Sequence, residues 1–485
     1  MTAASKKEIM KKILLFVSIT LLFAAAGCKK FVDVNQDPNN PLSVQEKVLL
    51  APIEFYIAHG LDAGGSNNGT ATTDGEGDAA TYTNHFMQTI CYNQVPLNYG
   101  TYYFVNTDFN LTWATVYNNV LENLRLLTTE SQHNGNSNYT GIAEILTAYS
   151  LGFATDLWGD IPYSKALNGA ADLTPAYDTQ AAIYDSIQAL LDRGIADLGK
   201  NAGLEVGSDD YFYSGNRTEW QKLAYSLKAR YYMHLTKAPG HDAISQSKLA
   251  LAALQNGMTG TADEWKFSYP GGATSQNAWY TIMLPYSTLV VSAELVDTLV
   301  VRNDPRLSFL VAKAKNTGLY TGRPIGAATV GTLNDYSSLG TGYSSVNSPW
   351  FLMPYTEVEF LAAEANLLVN GVAAAQPFFT AGITTHMTRL GVPTGDIATY
   401  LAARGTLTSA DGLEQIMQEK VIADFLSPEN YVDWRRTGFP VLTLVPNAQA
   451  PAIPRRLLYP QSEINTNPQP EQSATLVDRV WWDSK

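Results

Sequence analysis

Cys28 carries the clearest chemistry in the sequence. Lys11 and Lys12 precede an apolar run from Ile13 to Phe23, and Ala24, Ala25, Ala26 and Gly27 lead directly into the cysteine. This is the order of a secretory signal closed by a thiol, so the sequence predicts cleavage before Cys28 and acylation of its sulfur. Ala25 stands three before the cysteine, where such signals most often carry Leu. The apolar run is shorter than the roughly 20 residues a spanning helix needs. The expected anchor is therefore lipid. Met10-Lys11-Lys12 opens a cleaner signal than Met1 and is the expected start of translation.

Aromatic side chains are the second concentration of chemistry. Tyr92, Tyr99, Tyr102, Tyr103 and Phe104 crowd one polar stretch, and Trp265, Tyr269, Trp279, Tyr280 and Tyr286 crowd another. Flat rings offer apolar faces to the C–H faces of sugars while nearby amides satisfy the hydroxyls. Because both clusters lie in long polar loops and a neutral polar ligand needs a ring platform, Tyr92, Tyr99, Tyr102 and Tyr103 are expected to meet Trp279, Tyr280 and Tyr286 on one ligand face, with Asn93, Asn98, Gln276 and Asn277 beside them. A ring in a long loop can equally be a plug that pins the loop to the core.

Enzyme and cofactor motifs do not fit. Gly194 to Lys200 has the spacing of a phosphate loop, but Asn201 replaces its Ser or Thr and the stretch ends a helical pattern. None of the six histidines pairs with another at zinc-helix spacing around a glutamate. Asp74, Glu76 and Asp78 alternate as calcium ligands do, yet Ala79 and His85 stand where Gly and the closing Glu belong. Glu357 and Glu359 read as solvated charge on a helix face, not as a glycosidase pair. No cofactor, metal or catalytic residue is expected. Cys91, left without a partner once Cys28 is acylated, reads as a small buried hydrophobe.

The elements that must position these groups are helical. Ile142, Ile145, Leu146, Tyr149, Phe153 and Leu157 share one helix face, as do Val358, Leu361, Ala362, Ala365, Leu368 and Val369. Further helices are expected over roughly 48–59, 111–130, 180–198, 219–236, 241–255, 375–390 and 411–425. Several come in pairs, which predicts a mostly α fold: tetratricopeptide-like helix pairs stacked as an α-solenoid, although no strict repeat period survives. Long stretches rich in Gly, Asn, Ser, Thr and Tyr lie between them, at 62–83, 92–110, 257–288 and 317–354, and such loops are uncommon unless functional. The expected organisation is a signal at 1–27, a tether at 28–42 and one binding domain over 43–485. The 485 residues carry a net charge of −13, and the signal holds four lysines against one glutamate, so cleavage leaves −16. Nucleic-acid binding is excluded on that charge.

Five segments share a further resemblance. Asp33-Val34-Asn35-Gln36-Asp37-Pro38-Asn39-Asn40-Pro41 after the cysteine, Ala154 to Tyr163 (ATDLWGDIPY), Trp220 to Arg230 (WQKLAYSLKAR), Asn430 to Pro440 (NYVDWRRTGFP) and Ile453 to Glu463 (IPRRLLYPQSE) together resemble the SusD/RagB family of outer-membrane lipoproteins, in its SusD-like branch. The resemblance implies a helical binding protein on the outward face of the outer membrane that lids a SusC-like TonB-dependent transporter and delivers glycans or peptides to it. It transfers no ligand residue, because the quoted motifs read as architecture. Besides the nutrient-binding lipoprotein, a lipid-anchored glycan hydrolase and a structural accessory subunit of the transporter stay open.

Overall fold

The computed structural model describes residues 5, 8, 10, 11, 45–64, 79–169, 172–272, 275–283 and 288–484. Cys28, the signal and tether, the Asp74-Glu76-Asp78 loop and Tyr286 lie outside the described residues. The helical periodicity is realised almost where the apolar spacing places it. Along the chain run α1 (Glu46–Phe55), α2 (Ala79–Phe86), α3 (Glu122–Asn134), α4 (Ser137–Trp158), α5 (Gln180–Lys200), α6 (Arg217–His234), α7 (Ala243–Leu254), α8 (Ala278–Ile282), α9 (Tyr355–Asn370), α10 (Val372–Leu390), α11 (Gly412–Ala423) and α12 (Glu429–Thr437). Side-chain caps start several of them: Thr179 accepts from the Ala182 amide, Asn216 from Thr218 and Asp242 from Ser245. Left-handed residues end others, Asn201 after α5 and Gly438 after α12.

Helices pack pairwise, α3 on α4, α4 on α5, α6 on α7 and α9 on α10. Small residues permit the closest crossings. A Cβ on Gly141 of α4 would sit 2.8 Å from the carbonyl oxygen of Gly194 on α5, and one on Gly152 would overlap the Tyr231 ring of α6. These glycines do the work of the small positions in a helical repeat, at places that keep no strict sequence period. The fold is mostly α, as the sequence predicts. Two short antiparallel pairs add to it: β1 (Ile90–Tyr92) with β3 (Leu289–Val291), and β2 (Trp265–Phe267) with β4 (Trp350–Met353).

A network of buried charge ties the helices together. Arg230 of α6 grips Glu357 of α9 through two hydrogen bonds of 2.7 and 2.5 Å. One turn on, His234 bonds Glu429 of α12 at 2.7 Å and lies 3.3 Å from Asp156 of α4. Asp156 also accepts from Tyr184 of α5 and from the Trp482 indole. Arg436 of α12 bridges Glu364 of α9 and Asp433, and Asp433 lies 2.6 Å from Lys420 of α11. Glu357, expected to be solvated, is thus a fully buried member of the network. Periodicity could not show this, because the compensating arginine lies 127 residues away.

Burial by itself would lower the proton affinity of His234, but the carboxylates of Glu429 and Asp156 outweigh it and raise the pKa to about 9. The folded-state pKa lies above the unfolded value near 6.5, so the imidazolium stabilises the fold fully below about pH 6.5 and that contribution is lost as pH rises through about 9. Its size is roughly 3 kcal/mol. Melting temperature is therefore expected to fall from pH 6.5 to 9.5, and His234→Gln, less stable at the lower pH, is expected to lack that component of the fall. Parallel slopes for the two proteins in a calorimetric pH series would contradict it.

Candidate functional site

The loop that follows β1 is held from below. Tyr92 pairs with Leu289 across the strand pair, the Asn93 amide donates to the Thr288 carbonyl at 2.8 Å, and the Gln94 side chain donates to the Thr288 hydroxyl at 3.1 Å. Arg323, itself buried, then acts as a clamp: its guanidinium donates to Asn93 Oδ1 at 3.1 Å and to the carbonyls of Gln94, Ala327 and Thr329 at 3.0 to 3.1 Å. Beyond it, Asn98 and Thr101 cap each other to start a short turn, and Tyr102 takes the left-handed conformation that ends it. Tyr99 stacks on Phe104 with ring centroids 4.8 Å apart and meets Tyr82 and Tyr92 edge-on. Its hydroxyl donates to Asp108 Oδ1 at 3.1 Å, while Asp108 Oδ2 accepts from the Val105 amide at 2.7 Å.

These residues enclose a cavity of about 210 Å³ lined by Tyr92, Gln94, Leu97, Asn98, Tyr99, Tyr103, Val105 and Asp108. Tyr103, Leu97 and Val105 form exposed apolar edges, and Tyr103 keeps 47% of its surface in solvent. Of the ring set predicted from sequence, the structure thus brings Tyr92, Tyr99 and Tyr103 together. Tyr102 faces the other way. It is 1% exposed, packs edge-on against Phe86 and accepts from Gln88 at 3.3 Å. Trp279 is fully buried beside Trp350, and neither it nor the half-buried Tyr280 lines the cavity. Asn277 caps α8 and donates to the Ser348 carbonyl, and Asn93 is held in the Arg323 clamp, so both amides serve the fold.

Sequence reasoning passed over Gln94, Leu97, Val105 and Asp108. No sequence signal marked them, because the exposure of Leu97 and Val105 and the placing of Asp108 under Tyr99 are set by the folded loop. Cys91 is a core thiol whose pKa burial pushes up to about 12, with its S–H directed at the Arg323 carbonyl. Among the described residues no group of three or more His, Cys, Asp or Glu could hold a metal ion, and no helix is long and apolar enough to cross a membrane.

Stacked helix pairs thus carry a tyrosine-walled loop cavity. Over residues 41–460 the chain matches the SusD-like model described as starch-binding and associating with the outer membrane, and it belongs to that SusD-like family. Such proteins bind without catalysing, which removes the hydrolase reading. The fold is shared with a solved chitin-binding protein at 25% identity, TM-score 0.76, covering 91% of this chain and 100% of the other. A chitin-binding SusD homolog from Flavobacterium johnsoniae aligns at 23% identity, TM-score 0.77, over 90% of this chain and 98% of its own. A SusD/RagB family protein from Bacteroides thetaiotaomicron aligns at 24% identity, TM-score 0.76, over 91% and 99%. No curated protein matches the chain.

Buried and exposed rings should separate in a melting experiment. Tyr102→Ala and Trp279→Ala are each expected to destabilise the protein by about 3 to 5 kcal/mol, the usual cost of emptying an aromatic site. Tyr103→Ala should leave stability within about 0.5 kcal/mol of wild type. Equal denaturant midpoints for Tyr102→Ala and Tyr103→Ala would contradict this assignment.

Proposed function

We propose that this protein is a cell-surface lipoprotein that binds nutrient oligosaccharides in the cavity of the 92–108 loop and hands them to a partner TonB-dependent outer-membrane transporter. The observation that carries the proposal is that cavity: ring-walled, edged with amides and holding a single carboxylate, on a scaffold whose family is described as starch-binding. Stacking on Tyr99 and Tyr103 would supply affinity, and Gln94 and Asn98 would meet sugar hydroxyls. The chitin-binding proteins of the same fold support a glycan over a peptide. In this reading residues 1–27 are removed, Cys28 carries lipid, 28–42 form the tether and 43–485 the binding domain, with the protein on the outward side of the outer membrane.

Binding is tested with the soluble chain from Lys29 against a panel of oligosaccharides and a peptide digest. For the glycan that binds, Tyr99→Ala and Tyr103→Ala should each weaken affinity by about 1 to 3 kcal/mol, roughly 5- to 150-fold in Kd. Binding confined to peptides, or unchanged in both variants, would reject the glycan reading of this cavity. For the anchor, Cys28→Ser is expected to leave an unprocessed or soluble protein. Mass spectrometry that found an unmodified Cys28 thiol in the mature wild type would reject lipidation.

A further inference from the structure

The charge on the cavity wall is one-sided. Among the described residues its lining holds no Lys, Arg or His, and Asp108 is its one charged side chain. Arg323 stands behind Gln94, but it is 1% exposed and its guanidinium donates to Asn93 and to the carbonyls of Gln94, Pro324, Ala327 and Thr329. Its fork is turned into the protein. Asp108 is fixed from two sides, Tyr99 to Oδ1 and Val105 to Oδ2. A carboxylate has about four acceptor positions. Two remain, and the side chain that offers them is already ordered and only half-buried. Tyr103 and the half-buried Tyr99 line the same space, and an aromatic face attracts cations; Tyr92 lies behind them, buried and stacked on His85. The chain left after removal of residues 1–27 adds its own field, since taking four lysines and one glutamate from −13 leaves −16.

We propose that the loop cavity selects its glycans by charge: it prefers oligosaccharides that carry free amino groups, with Asp108 receiving the ammonium, and it refuses uronic-acid and sulfated chains. The inference rests on the reading of the cavity as a glycan site and names the class of glycan. Neutral sugars bind through the rings and the Gln94 and Asn98 amides, with no charged contact. An amino sugar adds one charge-assisted hydrogen bond to Asp108 without new cost in ordering the carboxylate. An acidic sugar finds no donor of opposite charge on the wall and meets Asp108 as a like charge.

The test compares three tetramers, of glucosamine, N-acetylglucosamine and galacturonic acid, by calorimetry on the soluble chain from Lys29 in mildly acidic buffer that keeps sugar amines protonated. The glucosamine tetramer is expected to bind about fivefold tighter than the acetylated one, the worth of one exposed ion pair, and that margin should shrink in high salt. Asp108→Asn keeps an oxygen for the Val105 amide and should bring the two within about twofold. Tyr99→Phe frees a carboxylate oxygen and should keep the preference. Galacturonic-acid binding as tight as that of the acetylated tetramer, or an amine preference that survives Asp108→Asn, would overturn the proposal. Equal binding of amino and acetylated tetramers to wild type rejects the charge selection alone, whereas no binding of any tetramer rejects the glycan reading together with it.

Discussion

The fold depends on the compensation of charge inside it. Arg230, His234, Lys420 and Arg436 are buried among Asp156, Glu357, Glu364, Glu429 and Asp433, and each cation reaches a carboxylate on another helix or another turn. A buried ion without a partner costs several kcal/mol, so removing one member strands the others. The consequence is positional. α4, α6, α9, α11 and α12 must meet in one arrangement, and the C-terminal segment must bring Trp482 back onto Asp156. The segment Asn430 to Pro440 earns its family likeness here, as Asp433, Arg435 and Arg436 all point inward. Arg435 donates to the Asp156 and Arg455 carbonyls and lies over the rings of Tyr431 and Trp482.

On that frame the 92–108 loop is held by means of another kind. The β1–β3 ladder ends at Tyr92, and beyond it Asn93 and Gln94 bond Thr288 while the Arg323 fork holds Asn93 Oδ1 and the Gln94 carbonyl. Side chains of the loop divide between two duties: Leu97 and Tyr103 stand exposed at the cavity edge, whereas Tyr99 stacks on Phe104 and bonds Asp108, and the Asn98 amide donates to the Gln94 and Val95 carbonyls. Tyr102 shows the boundary between the two duties. Its left-handed backbone turns the ring away from Tyr103 and into the core, so neighbouring tyrosines of identical chemistry have opposite roles.

Most helices were legible because a one-sided apolar face is a local property. The expected 180–198 and 375–390 appear as 180–200 and 372–390, and both ends of α5 carry the residues that helix ends favour. The stretches expected as loops were less legible. α2, α8 and all four strands lie in or beside them, and a strand of three or four residues takes its existence from a partner some 85 to 200 positions away. The glycine crossings of α4 were hidden for a related reason, since a glycine in a helix reads as a weak former until the neighbour that needs its space is known.

By itself the sequence determined the helical class, the acidic surface, the thiol at the end of an apolar leader and the concentration of rings in two polar stretches, because each is a property of residues near one another in the chain. Only the tertiary structure decided which rings are packing and which are surface. Trp279 and Tyr103 are both aromatic and each adjoins another ring in sequence, yet one is enclosed beside Trp350 and the other stands at the edge of a cavity. Burial depends on what folds over a residue. Asp108 makes the same point: an unremarkable acid in sequence, it becomes the one charge on the cavity wall because Tyr99 and Val105 hold it there.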